Sequence, residues 1–289
     1  MATHSRLADE FGTQQFVDVG RARVCYRKAG SGPALMLLHG FPLSGLTWRN
    51  VVAQLSQRFT CYAFDLVGLG DSRSRDAVDF TSSGQGAVMR GALRALGVES
   101  YTLLGNDTGG WVARELALLD GERVTHLLLT NTEIPGHRPP WISLYQRLAR
   151  IPGSSFGFRR MLASRRLRRS PLVFGGCFAH LDFIDGEFAE LFVRPLVSEP
   201  ERLRSALRFL VLMNFRYLDR LREAHGNLAM PASFLWGADD PTFPEGHART
   251  MASQFPNVAG FTSVPNAKLF FYEEQPELVA EWVIGRVAS

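Results

Sequence analysis

Short, continuously apolar runs recur along this chain with amphipathic stretches between them, and that alternation leaves few folds open. The runs cover residues 16–19, 24–27, 34–38, 61–65, 101–105, 124–130, 232–236 and 261–264. From the third onward most show no polar alternation, as expected of strands covered on both faces of their sheet. Helix-period patterns fill 48–55, 85–96, 111–119, 247–254 and 277–287. Strand and helix taking turns in this way predict an α/β fold, with about eight strands in a mostly parallel sheet wrapped by crossover helices. Between the sixth and seventh runs the rhythm breaks into helical spacing without strand signals. We read residues 135–228 as an inserted helical cap on a core built from 1–134 and 229–289.

The 289 residues are 46% apolar and 21% charged, enough to bury one large core. The first ten mix charges and lack the apolar stretch of a secretory signal. No window approaches the roughly 18 apolar residues of a membrane span, so a cytoplasmic protein is expected. Cys25, Cys61 and Cys177 are too scattered for a disulfide framework or a zinc site, and no phosphate-binding glycine loop is present. No metal and no organic cofactor is therefore expected. The net charge of +4 is unevenly placed: residues 136–225 hold 16 arginines, no lysine and 8 acids. The densest group is Arg159, Arg160, Arg165, Arg166, Arg168 and Arg169. It reads as a solvated helix face, or as an attractor of an anionic small-molecule substrate. No zinc finger or RNP-like pattern accompanies it, so no nucleic-acid partner is expected.

The chemistry concentrates at two turns. Leu103-Leu-Gly-Asn-Asp107-Thr-Gly-Gly-Trp111 sets Gly-x-Asp-x-Gly between a strand run and a helix run, and in that context the sharp turn pushes Asp107 out above the carboxyl ends of the strands. Gly105 and Gly109 remove side chains that would collide as the backbones converge. Directly after the third run comes Leu37-Leu-His-Gly-Phe-Pro42. The N–H groups of Phe41 and Thr108 are then the expected hole for negative charge on a halide, an epoxide oxygen or a carbonyl oxygen. His39 is expected to hold its loop, or else to border the pocket.

On these motifs, with Phe64-Asp-Leu-Val-Gly-Leu-Gly-Asp-Ser72, Leu235-Trp-Gly-Ala-Asp-Asp-Pro241 and Glu273-Glu-Gln-Pro276, the chain resembles the α/β-hydrolase superfamily. Within it the match is to the aspartate-nucleophile branch of haloalkane dehalogenases, fluoroacetate dehalogenases and soluble epoxide hydrolases. The resemblance implies that Asp107 attacks a saturated carbon to give an alkyl ester, since a carboxylate attacking an ester carbonyl would give a reactive anhydride. It implies that water activated by a histidine hydrolyses that ester. The acid holding the histidine maps to Asp240, with Asp239 as the alternative.

The histidine itself is missing. Relatives carry it shortly before the Glu-Glu-Gln-Pro stretch, where this chain reads Val264-Pro-Asn-Ala-Lys-Leu-Phe-Phe-Tyr-Glu273 and places Leu269 at the position. A one-residue slip would offer Lys268, and His137 or His180 would have to reach in from the cap. Haloalkane dehalogenases carry a tryptophan after the nucleophile and fluoroacetate dehalogenases an arginine, where this chain has Thr108. Epoxide hydrolases use two cap tyrosines, and this cap offers Tyr145 and Tyr217; Trp141 is a further candidate pocket residue. The leading expectation is an enzyme that alkylates Asp107 and hydrolyses the ester slowly or by other means. The alternatives are a non-hydrolytic enzyme using Asp107 as base for elimination, isomerisation or cyclisation, and a catalytically silent ligand-binding protein.

Overall fold

The computed structural model describes Phe11 and residues 13–287. Its nine strands are β1 (Gln14–Val19), β2 (Ala22–Ala29), β3 (Ala34–Leu38), β4 (Thr60–Phe64), β5 (Arg73–Ser74), β6 (Tyr101–Asn106), β7 (Val124–Thr130), β8 (Ala232–Gly237) and β9 (Val258–Val264). They form one sheet in the order β1-β2-β4-β3-β6-β7-β8-β9, with the two-residue β5 paired to β2. Every pairing from β4 to β9 is parallel, and only those involving β2 are antiparallel. The expected eight runs are all strands; β5 is the addition, too short to carry a period of its own.

The core helices are α1 (Arg49–Leu55), α2 (Ser82–Ala95), α3 (Thr108–Asp120), α10 (Glu245–Ala252), α11 (Phe271–Glu274) and α12 (Pro276–Val287). Between β7 and β8 come α4 (Pro140–Ala149), α5 (Ser154–Ala163), α6 (Arg165–Arg168), α7 (Arg194–Ser198), α8 (Pro200–Leu212) and α9 (Phe215–Ala224), with no strand among them. The central strands are apolar on both sides because helices cover both faces. Leu35 to Leu38 and Leu127 to Leu129 are fully buried, as are Trp48, Trp111 and Trp236. Each buried leucine contributes roughly 2 kcal/mol relative to exposure. No helix among the described residues is long and apolar enough to cross a membrane.

The chain runs from β3 outward to β4, then returns past β3 to β6. The connections after β3 and after β6 therefore leave on opposite sides of the sheet, opening a crevice at their carboxyl ends. Both motif turns lie there.

Candidate active site

Strand β6 stops at Asn106 and α3 begins at Thr108, so one residue makes the whole reversal. That residue is Asp107, at φ 49° and ψ −133°, a strained backbone for any side chain but glycine's. Neighbours hold the strain in place. The Asp107 N–H donates to Asn131 O (2.7 Å), while its carbonyl accepts from Gly110 N and from Thr132 Oγ1, each at 2.8 Å. Gly109 is required because a Cβ there would lie 2.2 Å from Leu38 O. Gly40 is required because a Cβ there would lie 2.5 Å from the Asp107 Cβ.

The two turns meet as the motifs implied. Phe41 N donates to Asp107 Oδ2 at 2.9 Å, and the Thr108 N–H also favours the ionised carboxylate. Burial nonetheless dominates and, with the neighbouring Glu133 charge, raises the Asp107 carboxyl well above the usual range. The carboxyl faces a cavity of about 160 Å³. Its walls are Phe41, Pro42 and Leu269 from the core and Ile142, Leu162, Phe174, Leu207 and Leu210 from the helices after β7. Trp141 and Tyr145 line it too, and its few polar groups include Asp107, Thr108, Glu133, Cys177 and Thr242.

Of the two acids after β8, Asp239 is exposed and Asp240 is buried. Asp240 Oδ2 accepts from Asn131 Nδ2 and Oδ1 from Thr242 N, both at 2.8 Å. Burial pushes its carboxyl up to about 6 against these donors. Leu269 lies on the cavity wall, its carbonyl fixed by Asn106 Nδ2 at 3.0 Å. Lys268 is half-buried and outside the lining. No histidine among the described residues lines the cavity. His137 sits 2.8 Å from Thr242 O and stacks on His247, and His180 is exposed beside Glu274.

Several expectations need correction. His39 does not border the pocket: its Nδ1–H donates to Gly40 O at 2.8 Å and its Nε2 accepts from Leu66 N at 2.9 Å, so both ring nitrogens serve the loop. Tyr217 is not a cavity tyrosine; α9 turns it outward, 40% exposed, under Arg220. Tyr145 does line the cavity, but its hydroxyl donates to Leu172 O at 2.8 Å. The arginine group does not reach the cavity: Arg165, Arg168 and Arg169 all pair with Asp185, Arg169 also with Asp182, and no arginine among the described residues lines the cavity.

Glu133 was missed by the sequence reading. It lies three residues past β7, the strand beside β6, so its carboxyl reaches the same end of the sheet as Asp107. Thr108 Oγ1 lies 3.0 Å from its Oε1 and Thr132 Oγ1 lies 3.1 Å from its Oε2. The fully buried Arg114 braces this corner, donating to Glu133 O at 2.7 Å and to Thr132 Oγ1 at 3.2 Å. Burial raises the Glu133 carboxyl, opposed by its backbone N–H, the Arg114 charge and the two hydroxyls. The available signal was an acid just past the strand adjacent to the elbow. Cys177 also went unassigned; burial and then the Asp240 and Asp107 charges push its thiol far up, which disfavours a thiolate. Away from the cavity, Cys25, Asp65 and Asp71 lie within ligating distance of one another. Gln14 bonds Cys25 and Asp71, and Asp65 takes the Gly45 and Asp71 N–H groups, so the cluster binds its own loops together.

Comparison with known proteins agrees with this fold. A family model described as the alpha/beta hydrolase fold matches residues 33–275. The chain is 26% identical over 282 residues to haloalkane dehalogenase 2 of Mycobacterium tuberculosis (strain ATCC 25618 / H37Rv), covering 94% of each. It is 30% identical over 252 residues to an uncharacterized protein of the same strain, covering 84% of this chain and 72% of that one. Among solved structures, the epoxide hydrolase CorEH superposes with a TM-score of 0.80 at 26% identity, over 96% of this chain and 98% of that one.

Proposed function

Because the chain belongs to the α/β hydrolase fold family, whose model spans residues 33–275, we propose that it is an enzyme acting on an electrophilic carbon of a small, uncharged organic molecule, with Asp107 as the nucleophile. The observation that carries the reading is the Asp107 carboxylate set against the Phe41 N–H on the wall of a mainly apolar cavity. A backbone N–H bonded to one carboxylate oxygen fixes the plane of the group. Attack on a saturated carbon bearing a halide or an epoxide oxygen then gives an alkyl ester. In the second step the same N–H groups of Phe41 and Thr108 serve the oxyanion of the ester as water adds. The helical segment 135–228, which we take as a cap, supplies the apolar wall that selects an uncharged substrate.

Hydrolysis of the ester lacks an imidazole. Removing a triad histidine costs on the order of 10⁶ in turnover, roughly 8 kcal/mol of barrier, so the ester is expected to persist unless another group activates water. Incubation with a panel of haloalkanes and epoxides should add one alkyl mass to the intact protein, localised by peptide mapping to Asp107, and Asp107→Ala should take up none. Neither adduct nor product across the panel would sink this reading. The raised Asp107 carboxyl favours a second one, a base for elimination or isomerisation, in which product forms with no mass ever appearing on Asp107.

A further inference from the structure

We propose that the outer face of helices α4, α5 and α6 docks on an anionic lipid surface, and that the cavity takes its substrate from that surface beside Pro171 and Leu172. The docking goes beyond the Asp107 reading and stands without it; the delivery of substrate rests on that reading.

These helices have two differently used sides. Inward, Trp141, Ile142 and Tyr145 of α4 and Phe158, Met161 and Leu162 of α5 line the cavity. The Tyr145 and Phe158 rings meet edge to face at 5.9 Å, and Tyr145 Oη donates to Leu172 O at 2.8 Å, so both helices and the turn after α6 form one wall. Residues on the opposite side of each helix share the outer surface of that wall. On α4 and the turn after it these are Leu144, Arg147, Leu148 and Ile151, spaced i, i+3, i+4 and i+7, and all are exposed. On α5, Phe156, Arg159, Arg160 and Ala163 repeat that spacing and that exposure. The outer stripe is as regular as the inner one, and it carries apolar side chains where a merely solvated face would be polar.

Single exposed leucines mean little, because folded proteins leave much apolar area in water. Concentration is what calls for a partner: of the thirteen large apolar side chains exposed among the described residues, six lie within 144–172, with Phe156 at 67% and Ile151 at 55%. The charge of the same stretch has one sign. Between Glu133 and Asp182 there are nine arginines and no acid. Arg165, Arg168 and Arg169 are held by Asp185, whereas Arg147, Arg159 and Arg166 are exposed and make no ion pair among the described residues. Arg160 lies 5.9 Å over the Phe156 ring. Rings and aliphatic chains framed by long cationic side chains suit the boundary between headgroups and acyl chains, where the apolar parts enter and the guanidiniums bond phosphate. A second copy fits poorly, since a two-fold contact would set this cationic face against itself. A charge of +4 overall with +8 in 136–225 leaves −4 elsewhere, so an anionic surface turns this face toward it. Pro171 and Leu172 are exposed and also line the cavity, which places an entrance on the same side.

The test measures co-sedimentation with vesicles of equal parts phosphatidylglycerol and phosphatidylcholine, and with vesicles of phosphatidylcholine alone. Wild type is compared with two variants, one combining Arg147→Gln, Arg159→Gln and Arg166→Gln, the other Ile151→Ser and Phe156→Ser. All five positions are exposed and outside the cavity lining, so both variants should fold. Wild type should bind the anionic vesicles at least about tenfold more tightly than the neutral ones, and less tightly as salt is added. Each variant should lose at least about tenfold on the anionic vesicles. Attack on 1,2-epoxyoctane without vesicles, read as diol released or as ester on Asp107, should stay within about twofold of wild type in both. With 1,2-epoxyhexadecane held in the anionic vesicles, either variant should react at least about tenfold more slowly than wild type. No partition of wild type, or equal partition onto neutral vesicles, would overturn the docking. Unchanged partition of the Ile151→Ser, Phe156→Ser variant would overturn it in favour of an acidic macromolecule, and a solution dimer that this variant dissolves would overturn it in favour of a second copy. Vesicle binding with equal attack on the vesicle-held epoxide by all three proteins would overturn the delivery alone. If neither epoxide is attacked, the Asp107 reading and the delivery both fall, and the vesicle partition still decides the docking.

Discussion

Asp107 and Leu269 share one cavity wall, and the contrast between them defines the chemistry available. The acid is presented by a strained turn that the Gly-x-Asp-x-Gly spacing announces, because only small neighbours allow the backbones to approach so closely. By the motif resemblance alone, the leucine stands at the position expected of the activating imidazole. Replacing Leu269 by His should place a ring in the cavity, and the variant should then release hexanol from 1-iodohexane where the parent retains the ester. A folded Leu269→His variant that still only accumulates adduct would mean that the pocket no longer positions a base at that point. Glu133 shows the limit of reading motifs. A single acid after a strand has no spacing signature, and only the neighbouring positions of β6 and β7 bring it to Thr108.

At the scale of elements, α3 depends on contact with the end of β3. Gly109→Ala would set a Cβ 2.2 Å from Leu38 O, and neither backbone can move without breaking the turn. A loss of roughly 3 kcal/mol or more is expected, read as a lowered midpoint in urea; unchanged stability would contradict the packing described. The strands were readable from sequence because burial on both faces leaves unbroken apolar runs. The helices after β7 were readable only as a helical block. Their charge pattern reads as a solvated face or as a ligand attractor, and three of the arginines gather on Asp185 and tie α6 to the loop that follows. Slight burial opposes ionisation of Asp185, but the Arg168 and Arg165 guanidiniums outweigh it and hold the carboxyl below its usual range. That stability is present above the ordinary carboxylate range and is lost as the pH falls through it. Asp185→Ala should lower Tm by about 2 °C, since exposed ion pairs contribute roughly 1 kcal/mol or less. Diol formation should hold within about twofold; a large loss of it would mean that these arginines reach substrate after all.

Across the whole molecule, the buried acids at the crevice work against the acids that brace the surface. Asp240 is raised to about 6 from 3.8, so the unfolded chain releases this proton first and stability falls as the pH climbs between those values. The difference corresponds to about 3 kcal/mol. The stability advantage of wild type over Asp240→Asn should therefore shrink by that order between pH 4 and pH 7, measured by denaturant unfolding at each pH. An advantage that grows with pH would show that Asp240 is stabilised as an anion. All of this surrounds one claim, that Asp107 forms and loses a covalent bond to carbon. The direct measurement is a single turnover of 1,2-epoxyoctane in ¹⁸O water with excess enzyme, followed by mass analysis of the peptide containing Asp107. The account predicts one ¹⁸O in that carboxyl and none in the diol; label in the diol with an unlabelled Asp107 would contradict it.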